Sequence, residues 1–213
     1  MSQMINHKYK IIYVRVAKTA SESFITLLRG SDAQLKRVDV SSVWSPPGVV
    51  WDENHYPLSS MKEVIQPQNY ENYFKFGFVR NPWDRALSQY KYGLWFYSHH
   101  TPPEYRKNKQ KWPKPLRADF KHYVMGNTDW PAKYRPQWEF LEGCDFIGKF
   151  ENLIEDVKYI CDMNKLPFHH RNFPHEHKTE HKNYTEYYDD EMIQEIGKVF
   201  ALDIENFGYE FGN

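Results

Sequence analysis

Two segments of this chain each run from an apolar, strand-like stretch through a cation into a helical pattern. That repeated arrangement limits the fold more than any other feature. The first is Tyr13-Val14-Arg15-Val16-Ala17-Lys18-Thr19-Ala20-Ser21-Glu22-Ser23. The second is Phe76-Gly77-Phe78-Val79-Arg80-Asn81-Pro82-Trp83-Asp84-Arg85-Ala86-Leu87-Ser88. A helix entered directly from a strand has N–H groups with no internal partner, and it presents the positive end of its dipole. Both turns therefore suit an anion. Two of them in one small chain point to a ligand that carries phosphate at two places.

The surrounding pattern agrees. Ile11 to Val16 reads as a buried strand, and helical spacing follows at Phe24, Leu27 and Leu28, closed by Arg29-Gly30. Leu35 to Val40 and Val49 to Trp51 are candidate strands. Phe74, Phe76 and Phe78 alternate into a further strand, Asn81 is an N-cap residue, and Pro82 fits the first helical position. Trp83, Ala86, Leu87, Tyr90 and Leu94 mark one helix face. Phe146 to Phe150 reads as a strand, with a helix from about 152 to 161 and a last amphipathic helix from Asp189 to Phe200. Strands alternating with helices predict an α/β chain with a mostly parallel sheet covered on both faces.

Composition narrows the function. Lys+Arg and Asp+Glu both number 28, so the chain lacks the basic surplus of a general nucleic-acid binder. No run approaches the ~20 apolar residues of a membrane span. Met1 to Lys8 holds no apolar signal region, so the sequence predicts a cytoplasmic protein. Cys144 and Cys161 fit buried thiols in a reducing compartment. The aromatic share of 17% suits a core together with a surface that stacks on sugars or bases. Ser98 to Arg117, with four prolines and Lys107, Lys109, Lys111, Lys114 and Arg117, reads as an exposed basic loop. His175-Glu176-His177 with His181 lacks the H-E-x-x-H pattern and a fourth ligand, so no metal is predicted.

In the first turn Lys18 adds a full charge, and Thr19, Ser21 and Ser23 add hydroxyl donors. The glycines of a Walker A loop are absent between Val14 and Ser23, which leaves open a surface lysine on an ordinary capped helix. In the second turn Ser88 lies about two helical turns beyond Arg80, within reach of one shared phosphate. Arg85 is a nearby second cation, and pairing of Arg80 with Asp84 is the alternative.

Together these segments resemble the sulfotransferases that use 3′-phosphoadenosine 5′-phosphosulfate (PAPS), in the carbohydrate sulfotransferase branch. Ala17-Lys18-Thr19-Ala20-Ser21-Glu22-Ser23 is similar to the family's 5′-phosphosulfate motif, with Ala17 where a proline is usual. Arg80-Asn81-Pro82-Trp83-Asp84-Arg85-Ala86-Leu87-Ser88 matches its Arg-x-Pro-x-x-Arg-x-x-Ser pattern for the 3′-phosphate. Asp145 to Leu153, Tyr184 to Tyr188 and Asp203 to Tyr209 resemble its later elements, so the likeness spans nearly the whole chain.

The resemblance implies a P-loop-like three-layer fold over a single domain, 1–213. It implies sulfuryl transfer from PAPS to a hydroxyl of a carbohydrate or small hydroxylated acceptor, releasing adenosine 3′,5′-bisphosphate. By the same resemblance Lys18, Thr19, Ser21 and Ser23 hold the 5′ side, Arg80 and Ser88 hold the 3′-phosphate, and no metal is required. His55, in Asn54-His55-Tyr56-Pro57, is the candidate general base, with an ordinary pKa of ~6.5 that suits proton transfer near neutrality. Glu53 competes for that role. The aromatic and basic stretch around 95–138, with Trp95, Phe96, Tyr97, Trp112, Trp130, Tyr134 and Trp138, is the candidate acceptor site. Lys178 or His181 is a candidate for a flap over the nucleotide. An ATP-dependent kinase-like transferase on the same fold and a non-catalytic glycan- or nucleotide-binding domain are the competing readings.

Overall fold

The computed structural model describes residues 4–30, 36–37, 55–112, 116, 119–126, 135–168 and 182–213. The candidate strand at 49–51, Glu53, Trp130, Tyr134 and the histidine-rich segment with Lys178 and His181 lie outside the described residues. The chain divides into two compact units, Met1–Arg80 with Pro131–His177 and Asn81–Trp130 with Lys178–Asn213. The first half holds β1 (Met4–Asn6), β2 (Ile11–Val14), α1 (Ser21–Gly30), β3 (Lys36–Arg37), α2 (Leu58–Met61), α3 (Pro67–Asn72) and β4 (Phe74–Val79). It is followed by α4 (Pro82–His99), α5 (Pro103–Arg106), α6 (Phe120–Met125), α7 (Trp138–Leu141), β5 (Phe146–Lys149), α8 (Leu153–Asn164), α9 (Asp190–Val199) and α10 (Ala201–Phe207).

The first unit is built on a sheet of order β3-β1-β2-β4-β5. β2 pairs with β4 and β4 with β5 in parallel, with Val14 opposite Gly77 and Val79 opposite Lys149. β1 runs antiparallel to both of its neighbours, so the other strands share one direction, as a mostly parallel sheet requires. Successive strand side chains point to opposite faces. One set, Ile11, Tyr13, Phe76 and Phe78, packs with Phe24, Ile25 and Leu27 of α1 and Val157, Ile160 and Cys161 of α8. Tyr13 stacks on Phe76 at 5.2 Å, and Phe24 meets Phe76 edge-on at 5.4 Å. Burying each such side chain stabilises the fold by about 1.5–3 kcal/mol. On the other face Gly77 leaves room for Leu141 of α7. Helices on both faces of the sheet make the three-layer α/β architecture.

Local bonds fix the strand ends. Lys75 N–H donates to Asp145 Oδ2 at 2.7 Å and Asp145 N–H returns to Lys75 O at 2.8 Å, which aligns the start of β5 with β4. Lys149 N–H donates to Asp156 Oδ2 at 2.6 Å and ties the end of β5 to α8. The helix expected from 152 to 161 begins after a 3-10 turn at Phe150–Asn152 and runs on to Asn164, ending at Lys165 with φ 56°.

In the second unit Asn81 caps α4 as its residue type predicts, accepting from Trp83 N–H at 3.1 Å. Its Nδ2 donates to the carbonyls of Glu210 and Asn213, each at 2.9 Å. Trp83, Ala86 and Leu87 of the predicted face are buried. Arg85, the second cation of this motif, is buried too, with its guanidinium 5.8 Å from the Phe200 ring. The expected loop from Ser98 carries more order than its prolines suggest. α4 continues to His99, α5 and a 3-10 turn at Lys109–Lys111 follow, and buried Trp112 donates its indole N–H to Tyr105 O at 2.8 Å. Lys107, Lys109 and Lys111 remain exposed.

Both cysteines are free thiols. Cys161 is buried and Cys144 half-buried, and burial pushes both thiols up, Cys161 to about 12. No helix among the described residues is long and apolar enough to cross a membrane.

A Cβ on Gly77 would lie 2.3 Å from Leu141 Cδ2 and 2.8 Å from Val14 O. Gly77→Ala is therefore expected to lower stability by about 1–3 kcal/mol in urea denaturation. Asn81→Ala removes the α4 cap and both bonds to the C-terminal segment. Its expected loss is about 2 kcal/mol, read as a melting temperature lower by roughly 4–8 °C.

Candidate functional site

β2 stops at Val14, two residues earlier than its apolar run suggests, and the chain turns through Arg15–Ala20 into α1. Lys18 and Ala20 take left-handed φ angles of 69° and 61° without being glycine. Two of the three hydroxyls expected to face phosphate shape this turn from within. Thr19 Oγ1 and Ser21 Oγ both donate to Val16 O, at 3.0 and 2.9 Å. The helix then opens with Phe24 N–H donating to Ala20 O at 3.2 Å. Left-handed residues at a strand-to-helix turn gather peptide N–H groups into an anion-binding concavity. The groups that suit an anion are thus the N–H groups heading α1 and the ammonium of half-buried Lys18. Glu22, the anion in this motif, pairs with the buried guanidinium of Arg15. Burial pushes the Tyr13 phenol up to about 12, so it stays protonated at neutral pH.

β4 ends at Val79, and Arg80 follows. Arg80 is 8% exposed, and its backbone is gripped from both sides by one side chain. Arg80 N–H donates to Gln137 Oε1 at 2.9 Å, and Gln137 Nε2 donates to Arg80 O at 2.8 Å. The guanidinium lies 4.1 Å over the Phe150 ring and donates from Nη1 to Lys18 O at 3.2 Å. The two cationic turns are therefore directly bonded.

The predicted residues separate as follows. Lys18, Thr19, Ser21 and Ser23 share one turn, and Arg80 reaches it. His55 is half-buried in the same unit, just ahead of buried Tyr56 and Pro57 and of α2. Ser88 is half-buried on α4 in the second unit, so its partnership with Arg80 rests on the sequence motif. Of the candidate acceptor residues, Trp95 and Phe96 are 39% and 38% exposed at the end of α4, whereas Trp112 is packed away. Trp138 begins α7 in the first unit. Sequence reasoning missed Gln137 and Phe150. Phe150 lies in the Asp145–Leu153 element but reads there as a strand residue, and Gln137 lies in no motif and acts on a residue distant in the chain.

A model of the sulfotransferase family matches residues 2–210. Carbohydrate sulfotransferase 14 of Danio rerio is 27% identical over 238 aligned residues, which cover 99% of this chain. The chain spans 62% of that relative's length. An uncharacterized protein of Archaeoglobus fulgidus is 27% identical over 116 residues, 52% of this chain and 83% of its own. No solved structure matches the chain at a significant level. Two cationic strand-to-helix turns on a mostly parallel sheet, and a family match along almost its entire length, show that the chain belongs to the sulfotransferase family.

Proposed function

We propose that this protein transfers a sulfuryl group from PAPS to a hydroxyl of a carbohydrate acceptor. The observation that carries the reading is the bond between the two turns, which brings the Arg80 guanidinium to the backbone of Lys18. A donor with phosphate at both its 5′ and 3′ positions needs two cationic sites on one rigid base. The carbohydrate acceptor is suggested by the name of the Danio rerio relative and by the exposed rings of Trp95 and Phe96. Aromatic faces of that kind stack on sugars.

The residues divide the work. N–H groups at the head of α1, in a turn shaped by Thr19 and Ser21, hold the 5′-phosphate side of PAPS together with the Ser23 hydroxyl. Arg80 and Ser88 take the 3′-phosphate, in line with the sequence motif. An arginine fork matches phosphate oxygens in pairs. In the transfer, the acceptor oxygen forms a bond to sulfur as the bond from sulfur to the phosphate oxygen breaks. The departing electron pair stays on that oxygen, where Lys18 supplies positive charge. His55 accepts the proton released by the acceptor hydroxyl, and Glu53 is the competing base. Lys18 and Arg80 provide the charge that a metal ion supplies in phosphoryl transfer.

Thermal shift distinguishes this reading from an ATP-dependent one. Adenosine 3′,5′-bisphosphate is expected to stabilise the protein more than ATP with Mg²⁺, and the reverse order would count against the sulfotransferase reading. With labelled PAPS and a glycan panel, Lys18→Ala is expected to lose at least about 10²-fold in transfer. His55→Ala is expected to lose about 10²- to 10⁴-fold while binding adenosine 3′,5′-bisphosphate like the wild type. Full turnover by His55→Ala would remove it as the base.

A further inference from the structure

Gln137 is fully buried at 0% exposure, and its amide uses both of its hydrogen-bonding ends on one residue, Arg80. It stands at the N-cap position of α7, where a polar side chain commonly accepts from its own helix, yet its side chain makes no such cap bond. Its geometry is committed to the end of β4 instead. α7 is also seated on that strand, because Leu141 fills the space above Gly77. The backbone of Arg80 is thus fixed by a residue that is itself fixed by packing. Beyond the backbone, the guanidinium is confined between the Phe150 ring at 4.1 Å and the Lys18 carbonyl at 3.2 Å.

We propose that Gln137 and Phe150 are positioning residues for the Arg80 guanidinium, and that Arg80 so held locks the two anion-binding turns into one element. This rests on the assignment of the 3′-phosphate to Arg80 made above. An arginine free to sample many rotamers must give up that freedom when phosphate arrives, whereas a guanidinium already held gives up less. The grip on Arg80 therefore acts on recognition of the 3′-phosphate, not only on folding.

The test compares adenosine 3′,5′-bisphosphate with adenosine 5′-monophosphate, which lacks the 3′-phosphate, by calorimetric titration of the full chain. Gln137→Met keeps the side-chain length and removes both bonds. Phe150→Leu keeps an apolar side chain and removes the ring face. In each, the ratio of the two dissociation constants is expected to shrink about tenfold toward unity. A role confined to packing would lower the melting temperature and leave that ratio at its wild-type value, and that result in either folded variant overturns the proposal. If Gln137→Met does not fold, Phe150, which is only half-buried, carries the test alone. A wild-type protein with no preference for the bisphosphate would instead overturn the assignment of Arg80, and the positioning role would fall with it.

Discussion

The parallel pairing of β2 with β4 is the constraint on which the rest of the site depends. Its register sets Val14 opposite Gly77, so β2 ends two residues before β4 does, at the same edge of the sheet. Both chains then leave the sheet side by side, and Arg80 comes close enough to reach the carbonyl of Lys18. Ligands in open parallel sheets bind beyond the carboxyl ends of the strands for this reason. The register is itself enforced by side chains. A slip of one residue would exchange the two faces of β4, turning Gly77 toward the aromatic layer and a phenylalanine toward Leu141.

Four cations of the first unit show how burial and position divide their roles. Lys75 is buried and bonds to Asp145 at 3.1 Å and to the carbonyls of Tyr70 and Tyr73 at 3.3 and 2.8 Å. Arg15 is buried against Glu22. Removing a charge from water is costly unless it is paired, so these two are bound up in the architecture. Lys18 stands beside the N–H groups that head α1, and Arg80 stands where β4 ends. The pairing of Arg15 with Glu22 matters to the site as well, because it neutralises the one carboxylate that the first motif carries.

Much of this was readable from residue types whose physics is local. The sequence Asn81-Pro82 announced the start of α4, because a side-chain acceptor followed by a residue with fixed φ leaves few other conformations. The alternation of Phe74, Phe76 and Phe78 announced β4 and its inner face. β1 was not readable, since three residues carry no period and their pairing depends on a neighbour. The run from Ser98 read as a loop because its prolines interrupt any long period. Its short helices and buried Trp112 are held by contacts that a window of sequence does not contain. The hydroxyls of Thr19 and Ser21 were legible as part of the turn but not in their direction, because a hydroxyl can face a ligand or its own backbone. Gln137 was the least visible, because nothing near it in the chain distinguishes it from a surface glutamine.

The glycine-free first turn explains why these supports are needed together. A left-handed residue other than glycine costs roughly 1–2 kcal/mol, and Lys18 and Ala20 both adopt that conformation. Glycine would relax the turn, but it would also widen the range of unfolded and partly open conformations to be given up on folding. The chain holds the strained form from outside instead. Val16 O collects the Thr19 and Ser21 hydroxyls on one side, and Lys18 O receives the Arg80 guanidinium on the other. A strained backbone persists only where its surroundings over-determine it. The bond from Arg80 to Lys18 O therefore works in both directions: it fixes the guanidinium of the second turn, and it secures the backbone of the first at Lys18, one of its two left-handed residues.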